Sequence, residues 1–311
     1  MKKLLWAILT FGLLFSLVSL NEAHATNVQN VNDIKFSVQD TENLKSLGFT
    51  NEELIQMTEE EYLANKDIKG EIVDTETKYI KTIIYGDTLD EQSIDSHKRF
   101  LDTPGNTVTI ELDEDTFNQE LKAEENPIKT LDTTNTEYKK FTTTISKISS
   151  TKYRLKNTLT WKKMPSTREW DVSGVGINET YWAPVPNSQY GKQNWTKHST
   201  CFGYEYGSAT YNTSSSYWKK GSGGYAHKMN LPNNDFGGGC GHKSVTALSS
   251  YMYYDVSRQQ STRQIDAYGR YSHQTSSLST SVSFSITGPS LSISPSNRFD
   301  GPISTHAQVK W

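Results

Sequence analysis

Ser244-Val-Thr-Ala-Leu-Ser-Ser-Tyr-Met-Tyr-Tyr-Asp-Val256 is the stretch on which the reading of the fold turns. Its Tyr251-Met-Tyr-Tyr254 run offers bulky side chains to both sides at once, as a strand covered on both faces requires. Around it the chain has one texture from Phe141 onward. Short alternating segments recur every 8–15 positions: Phe141–Ile145, Tyr153–Trp161, Trp170–Ile177, Cys201–Tyr211, Tyr225–Leu231, Gln264–His273, Leu278–Ile286 and Leu291–Ile293. Gly, Asn, Ser and Pro punctuate them, the pattern of an all-β sandwich or barrel, and an antiparallel β-sandwich is the expectation.

Upstream the texture differs. Residues 26–144 carry 12 Lys and Arg against 26 Asp and Glu, a net of −14; residues 145–311 carry 18 against 8, a net of +10. Both cysteines and Trp161, Trp170, Trp182, Trp195, Trp218 and Trp311 fall in the second part. This joint shift predicts a smaller acidic α+β region at 26–144 and an aromatic-rich sandwich at 145–311. Opposite charge would favour their docking. Each region could equally carry its charge for solubility alone.

Within the acidic region, Thr50-Asn-Glu-Glu53 and Thr58-Glu-Glu-Glu61 match the capping box, in which a Thr hydroxyl and a Glu carboxylate satisfy the free amides of a helix start. With Leu44, Leu47, Leu54, Ile55, Met57, Tyr62 and Leu63 on the apolar side, two or three short helices are expected before Gly70, packed on the protein's own strands. Tyr79–Tyr85 and Thr107–Leu112 read as strands, and Asp113-Glu-Asp115 as a solvated turn.

The first 25 residues read as a cleavable export signal: Lys2 and Lys3, an apolar run from Leu4 to Leu20, then Ala23-x-Ala25. The run is slightly short for a membrane span, which needs ~20 apolar residues. No later segment is apolar enough to span, so a secreted product without a stable transmembrane segment is expected. Export argues against a nucleic-acid partner, and no phosphate loop, dinucleotide fingerprint, nucleophile elbow or HExxH motif calls for a cofactor.

Cys201 and Cys240 are the two cysteines, which in an oxidising compartment predicts one disulfide. Two other readings stay open. His198, Cys201, Cys240 and His242 form a two-His, two-Cys set suited to zinc. Gly237-Gly-Gly-Cys240-Gly-His242 resembles the nucleophile segment of papain-like peptidases, with His273 or His306 as the base.

Flat aromatic faces in Gly-, Ser- and Pro-rich sequence suit sugar rings, so Trp182, Tyr190, Trp195, Tyr217 and Trp218 are the candidate ligand-binding residues, for a surface glycan or an anionic wall polymer. An alternative lies in Ser276–Pro295, where Val282, Phe284 and Ile286 alternate with serines and a Gly288-Pro289 turn leads to Leu291 and Ile293. β-Pore formers insert hairpins of this kind, and half-buried sandwich hairpins share the pattern.

The signal segment, the preference for Lys over Arg, the stretch LGFTNEELIQMTEEEY at 47–62, and AYGRYSHQTSSLSTSVSFSI at 267–286 with FDG at 299–301 resemble uncharacterised secreted proteins of Bacillus-type Gram-positive bacteria. The resemblance implies no activity. The expectation is a secreted, non-enzymatic binding protein, with pore former and cysteine peptidase as alternatives.

Overall fold

A computed structural model describes residues 28–85, 99–101, 107–124, 135–211, 216–276, 282–294 and 298–311. The export signal, and Leu278 to Ser281 of the serine-rich stretch, lie outside them.

Two large antiparallel sheets account for most of the strands among the described residues. The larger runs β2 (Arg99–Leu101), β3 (Thr107–Leu112), β1 (Glu71–Ile84), β4 (Asn135–Lys147), β5 (Lys152–Lys163), β12 (Ser244–Arg258), β8 (Tyr190–Ser199) and β9 (Gly203–Tyr211), with β7 (Trp182–Pro184) also on β12. The smaller runs β10 (Trp218–Gly221), β11 (Gly224–Asn230), β6 (Trp170–Gly176), β13 (Gln264–His273) and β16 (Ile303–Lys310). A hairpin of β14 (Ser283–Thr287) and β15 (Ser290–Ser294) forms a third, two-stranded sheet.

The core lies between the two main sheets. Ile145, Leu155, Met252 and Tyr254 from one meet Val175, Ile265, Ala267 and Ala307 from the other. Phe141, Leu159, Trp161 and Leu248 continue it against Tyr271 and Ile303. Strand alternation then turns Tyr251 and Tyr253 outward, where α1 (Val38–Ser46), α2 (Asn51–Ile55) and α3 (Glu59–Asn65) cover them with Leu44, Leu47, Leu54 and Met57. The two-sided coverage read from Tyr251–Tyr254 is what the structure contains.

The expected helices form where the caps placed them. Thr50 makes both halves of its capping box with Glu53. Thr58 makes one half, accepting from the Glu61 amide. The Glu61 carboxylate instead takes the Tyr251 hydroxyl at 2.8 and 2.7 Å.

Three expectations need correction. The compositional boundary at 144/145 falls inside β4, so strands from both segments share one sheet. Asp113 caps a helix: its carboxylate accepts from the Thr116 amide at 2.8 Å and hydroxyl at 2.7 Å, opening α4 (Glu114–Glu124). Trp182, Tyr190, Trp195 and Trp218, expected in Gly-, Ser- and Pro-rich sequence between strands, lie in β7, β8 and β10. β8 escaped notice because its side chains are polar yet buried, Lys192 among them.

The charge contrast is used at the helix–sheet contact. Lys156 Nζ sits 2.6 and 2.8 Å from the Glu53 carboxylate oxygens, and Lys192 Nζ 3.8 Å from Glu61, all four residues buried. Arg154 joins Asp255 at 2.8 Å and also donates to Asn65. Such pairs fix orientation more than they add net stability, because desolvation consumes most of the Coulomb gain.

Candidate functional site: a threonine-paved groove

On the outer face of the large sheet, beside the α2 segment, lies a cavity of about 590 Å³, within the ~300–1,000 Å³ range of small-ligand pockets. Strand register builds its floor. Thr75 and Thr77 of β1 stand opposite Thr144 and Thr142 of β4, and Thr142 stands opposite Thr158 of β5. Thr160 lies opposite Lys140. Three neighbouring strands thus each present a Thr-x-Thr pair to one face, about 4.8 Å apart across strands. The Thr77 and Thr142 hydroxyls lie 3.0 Å apart and share a hydrogen bond.

Beyond Ser249 of β12 the floor continues into Asn194 and Thr196 of β8 and Tyr206 of β9, paired in register as Ser249–Asn194 and Thr196–Tyr206. Tyr206 is 54% exposed. Asn194 is 2% exposed, and neither its side-chain oxygen nor its nitrogen has a hydrogen-bond partner among the described residues. A buried amide left unpaired costs about 1–3 kcal/mol. It is the one polar side chain of the groove floor with both hydrogen-bonding atoms in this state among those described.

Charge is placed at the rim. Lys140 and Lys162 line the groove facing Glu52. Backbone hydrogen bonding at the head of α2, then Thr50 and the two lysines, hold the Glu52 carboxyl below its ordinary value despite partial burial. Lys140 Nζ lies 5.5 Å from the Tyr79 ring centre, which steadies the ammonium. The deeper Glu53 is already committed to Lys156 and to the Thr158 hydroxyl at 3.0 Å. The lining offers hydroxyls, the side-chain amides of Gln56 and Asn194, the rings of Trp161, Trp195 and Tyr206, and the two rim cations.

The aromatics singled out from sequence are dispersed. Trp195 lines the groove, although its indole packs against the Gly207 backbone and the inter-sheet core, where a Cβ on Gly207 would come within 2.2 Å of Nε1. Trp182 is 1% exposed and donates its N–H to the Gln264 carbonyl at 3.0 Å, and Trp218 is stacked on His227 at 4.8 Å inside the core. Both fill volume between the sheets, which corrects their reading as ligand platforms. Tyr190 stacks on Tyr253 under the helices. Tyr217 is exposed but sits against Trp170, away from the groove. Sequence reasoning missed Tyr206, Asn194 and the threonines. The repeated Thr-x-Thr at 75, 142 and 158 was the available signal.

The cysteines are joined: Cys201–Cys240 is a disulfide with Cα atoms 5.3 Å apart. This corrects the zinc reading, since neither sulfur is a free thiolate, and no cluster of three or more metal-capable side chains occurs among the described residues. His198 instead lies against Tyr204, and His242 bonds Ser244 at 3.2 Å. The peptidase reading is corrected too. Cys240 sits in a single 3-10 turn at Gly239–Gly241 that runs into strand β12, so no helix N-terminus activates it. His273 is buried in another site, its Nδ1 2.7 Å from Asp171. Burial alone would push His273 down, but Glu137 and Asp171 beside it hold it above its ordinary value. His306 pairs with Asp266 at 2.8 Å.

The serine-rich stretch does form a hairpin. Val282, Phe284 and Ile286 are buried against Val172, Ala226 and Phe299, with the serines outward. Each arm spans five residues, against the ~9–11 of a bilayer-crossing strand. No helix among the described residues is long and apolar enough to cross a membrane.

Fold and groove together define a mainly-β, antiparallel two-sheet protein with a helical cap on one face. No protein-family model matches the chain, and no curated protein matches it. Among solved structures it is similar to a pore forming protein (8% identity, 56% of this chain and 87% of that one, TM-score 0.27). It is also similar to the C-terminal domain of the Streptococcus agalactiae AgI/II polypeptide BspA (9%, 76% and 84%, TM-score 0.26) and to Clostridium perfringens delta-toxin (8%, 56% and 85%, TM-score 0.25). Likeness at this level carries no argument about function.

Proposed function

We propose that this is a secreted, non-enzymatic binding protein of the Gram-positive cell envelope, and that the threonine-paved groove takes a hydroxyl-rich polymer, a surface glycan or an anionic wall polymer. One observation carries the reading: the buried amide of Asn194, unpartnered on both its donor and its acceptor side, at the edge of a groove floor paved with threonine hydroxyls. A sugar hydroxyl both donates and accepts, so one group could satisfy both needs. Tyr206 supplies the flat face on which a pyranose ring packs. Lys140 and Lys162 would read carboxylate or phosphate substituents along the same chain.

The test is retention of residues 26–311 on insoluble cell-wall material and on a glycan array. Wild type should be retained, and Asn194→Ala and Tyr206→Ala should each weaken retention about tenfold, the worth of one lost hydrogen-bonding or stacking contact. Retention indifferent to both changes, or none on any matrix, would remove the proposal.

A further inference from the structure

A second surface uses different residues. Phe202, in the turn between β8 and β9, is 76% exposed, and Phe236, in the loop leading into β12, is 85% exposed. Isolated exposed apolar residues are ordinary, but these two are held out by construction. Cys201, beside Phe202, is crosslinked to Cys240, four residues beyond Phe236. Ser199 Oγ donates to the Cys240 carbonyl at 3.2 Å. Asp235 and Lys243 pair across the base of the loop through backbone hydrogen bonds of 2.9 and 3.1 Å. Tyr204, 68% exposed, stands next on β9 against His198.

The charges behind this tip cancel. Lys197 pairs with Asp235 at 2.6 Å, and Lys243 with Glu205. The most exposed apolar side chains here are the two phenyl rings and the Tyr204 ring, with His242 against Phe236 and matched ion pairs beside them. An anionic polymer would find no unpaired lysine among these. A zwitterionic headgroup layer offers the complement: no net charge to satisfy, and an apolar boundary a few ångströms below that accepts aromatic rings. Because the crosslink and the bridge fix the loops beforehand, little ordering entropy remains to be lost on docking.

We propose that the disulfide-clamped tip docks on zwitterionic lipid, with Phe202 and Phe236 entering the bilayer interface. Tyr204 and Tyr206 alternate on one face of β9, so a molecule seated by this tip would hold the groove close to the same surface. The tip and the groove are separate claims, and either can fail alone.

Sedimentation of residues 26–311 with phosphatidylcholine vesicles tests the proposal. Wild type should partition onto the vesicles, and Phe202→Ala with Phe236→Ala should lower the partition coefficient about tenfold or more, as loss of two buried rings demands. Both positions are exposed, so the variant should fold. Phe202→Trp with Phe236→Trp should retain binding and show a blue shift in emission on adding vesicles. Asn194→Ala should bind vesicles like wild type. No sedimentation of wild type, equal sedimentation of the alanine variant, or binding confined to phosphatidylglycerol vesicles and abolished by salt would each overturn the proposal.

Discussion

The Tyr251 hydroxyl donates to Glu61, lying 2.8 and 2.7 Å from its two carboxylate oxygens, and so fastens helix α3 to strand β12. Around this contact the acidic and basic parts of the chain become one body. Lys192 approaches Glu61 from the sheet, and the Lys156–Glu53 pair lies beside it. The contrast in composition is therefore spent partly inside the molecule, in pairs that set how the helical cap sits.

Burial pushes the Glu61 carboxyl up to about 7, against the opposing pull of Lys192 and Tyr251. A carboxyl raised from 4.5 binds its proton more tightly folded than unfolded. Its contribution is full below about pH 4.5 and is lost as pH rises through about 7, a change of ~3 kcal/mol. Glu61→Gln should remove that slope. Denaturant unfolding of both proteins at pH 4.5 and pH 8 should show a stability difference that changes by about this amount, whereas a constant difference would contradict the assignment.

Gly176 carries the serine-rich hairpin on its backbone. A Cβ there would come within 1.6 Å of the Gly288 carbonyl oxygen, and one on Gly174 within 2.8 Å of Ile286. Gly288 also donates from its amide to the Gly223 carbonyl at 3.1 Å. Gly176→Ala should lift the hairpin and cost about 1–3 kcal/mol. Limited proteolysis should then cut within 282–294 in the variant first. Unchanged resistance would mean the hairpin is held by other contacts.

Removing the crosslink should act chiefly through the unfolded state, which gains conformational entropy when the loop is opened. Cys201 and Cys240 are 39 residues apart, and closing such a loop is worth about 4 kcal/mol by chain entropy. Cys201→Ser with Cys240→Ser should lower the unfolding free energy toward that extent without altering the sheets seen by circular dichroism. A loss below about 1 kcal/mol would show that the loops are ordered without it.

Much of the fold was legible in advance. β13 begins and ends at the expected Gln264 and His273, and β3 at Thr107 and Leu112, because each has a clear period and firm punctuation. Helices α2 and α3 were visible in their caps at Thr50 and Thr58, whereas the Ser37–Asp40 box that opens α1 was not read. β8 was not, since Lys192, Gln193 and Asn194 are polar yet buried, and the groups that Lys192 meets, Glu61 and Gln56, lie far along the chain. The groove was legible in even smaller part. Thr75, Thr142 and Thr158 become neighbours only through the registers of β1, β4 and β5, which no local pattern fixes. Aromatic content drew attention to Trp182 and Trp218, yet size and shape favour burying such rings, and both are in the core.

Lysine footprinting tests most directly whether ligand occupies the outer face of the large sheet. A wall-polysaccharide fraction that retains residues 26–311 would be added before brief acetylation, and modified lysines mapped by mass spectrometry. Lys140 and Lys162 at the groove rim should be protected several-fold, while Lys219, exposed on the other sheet, reacts as in the free protein. Bound ligand with Lys140 and Lys162 still reacting at the free rate would place the site elsewhere and contradict the account.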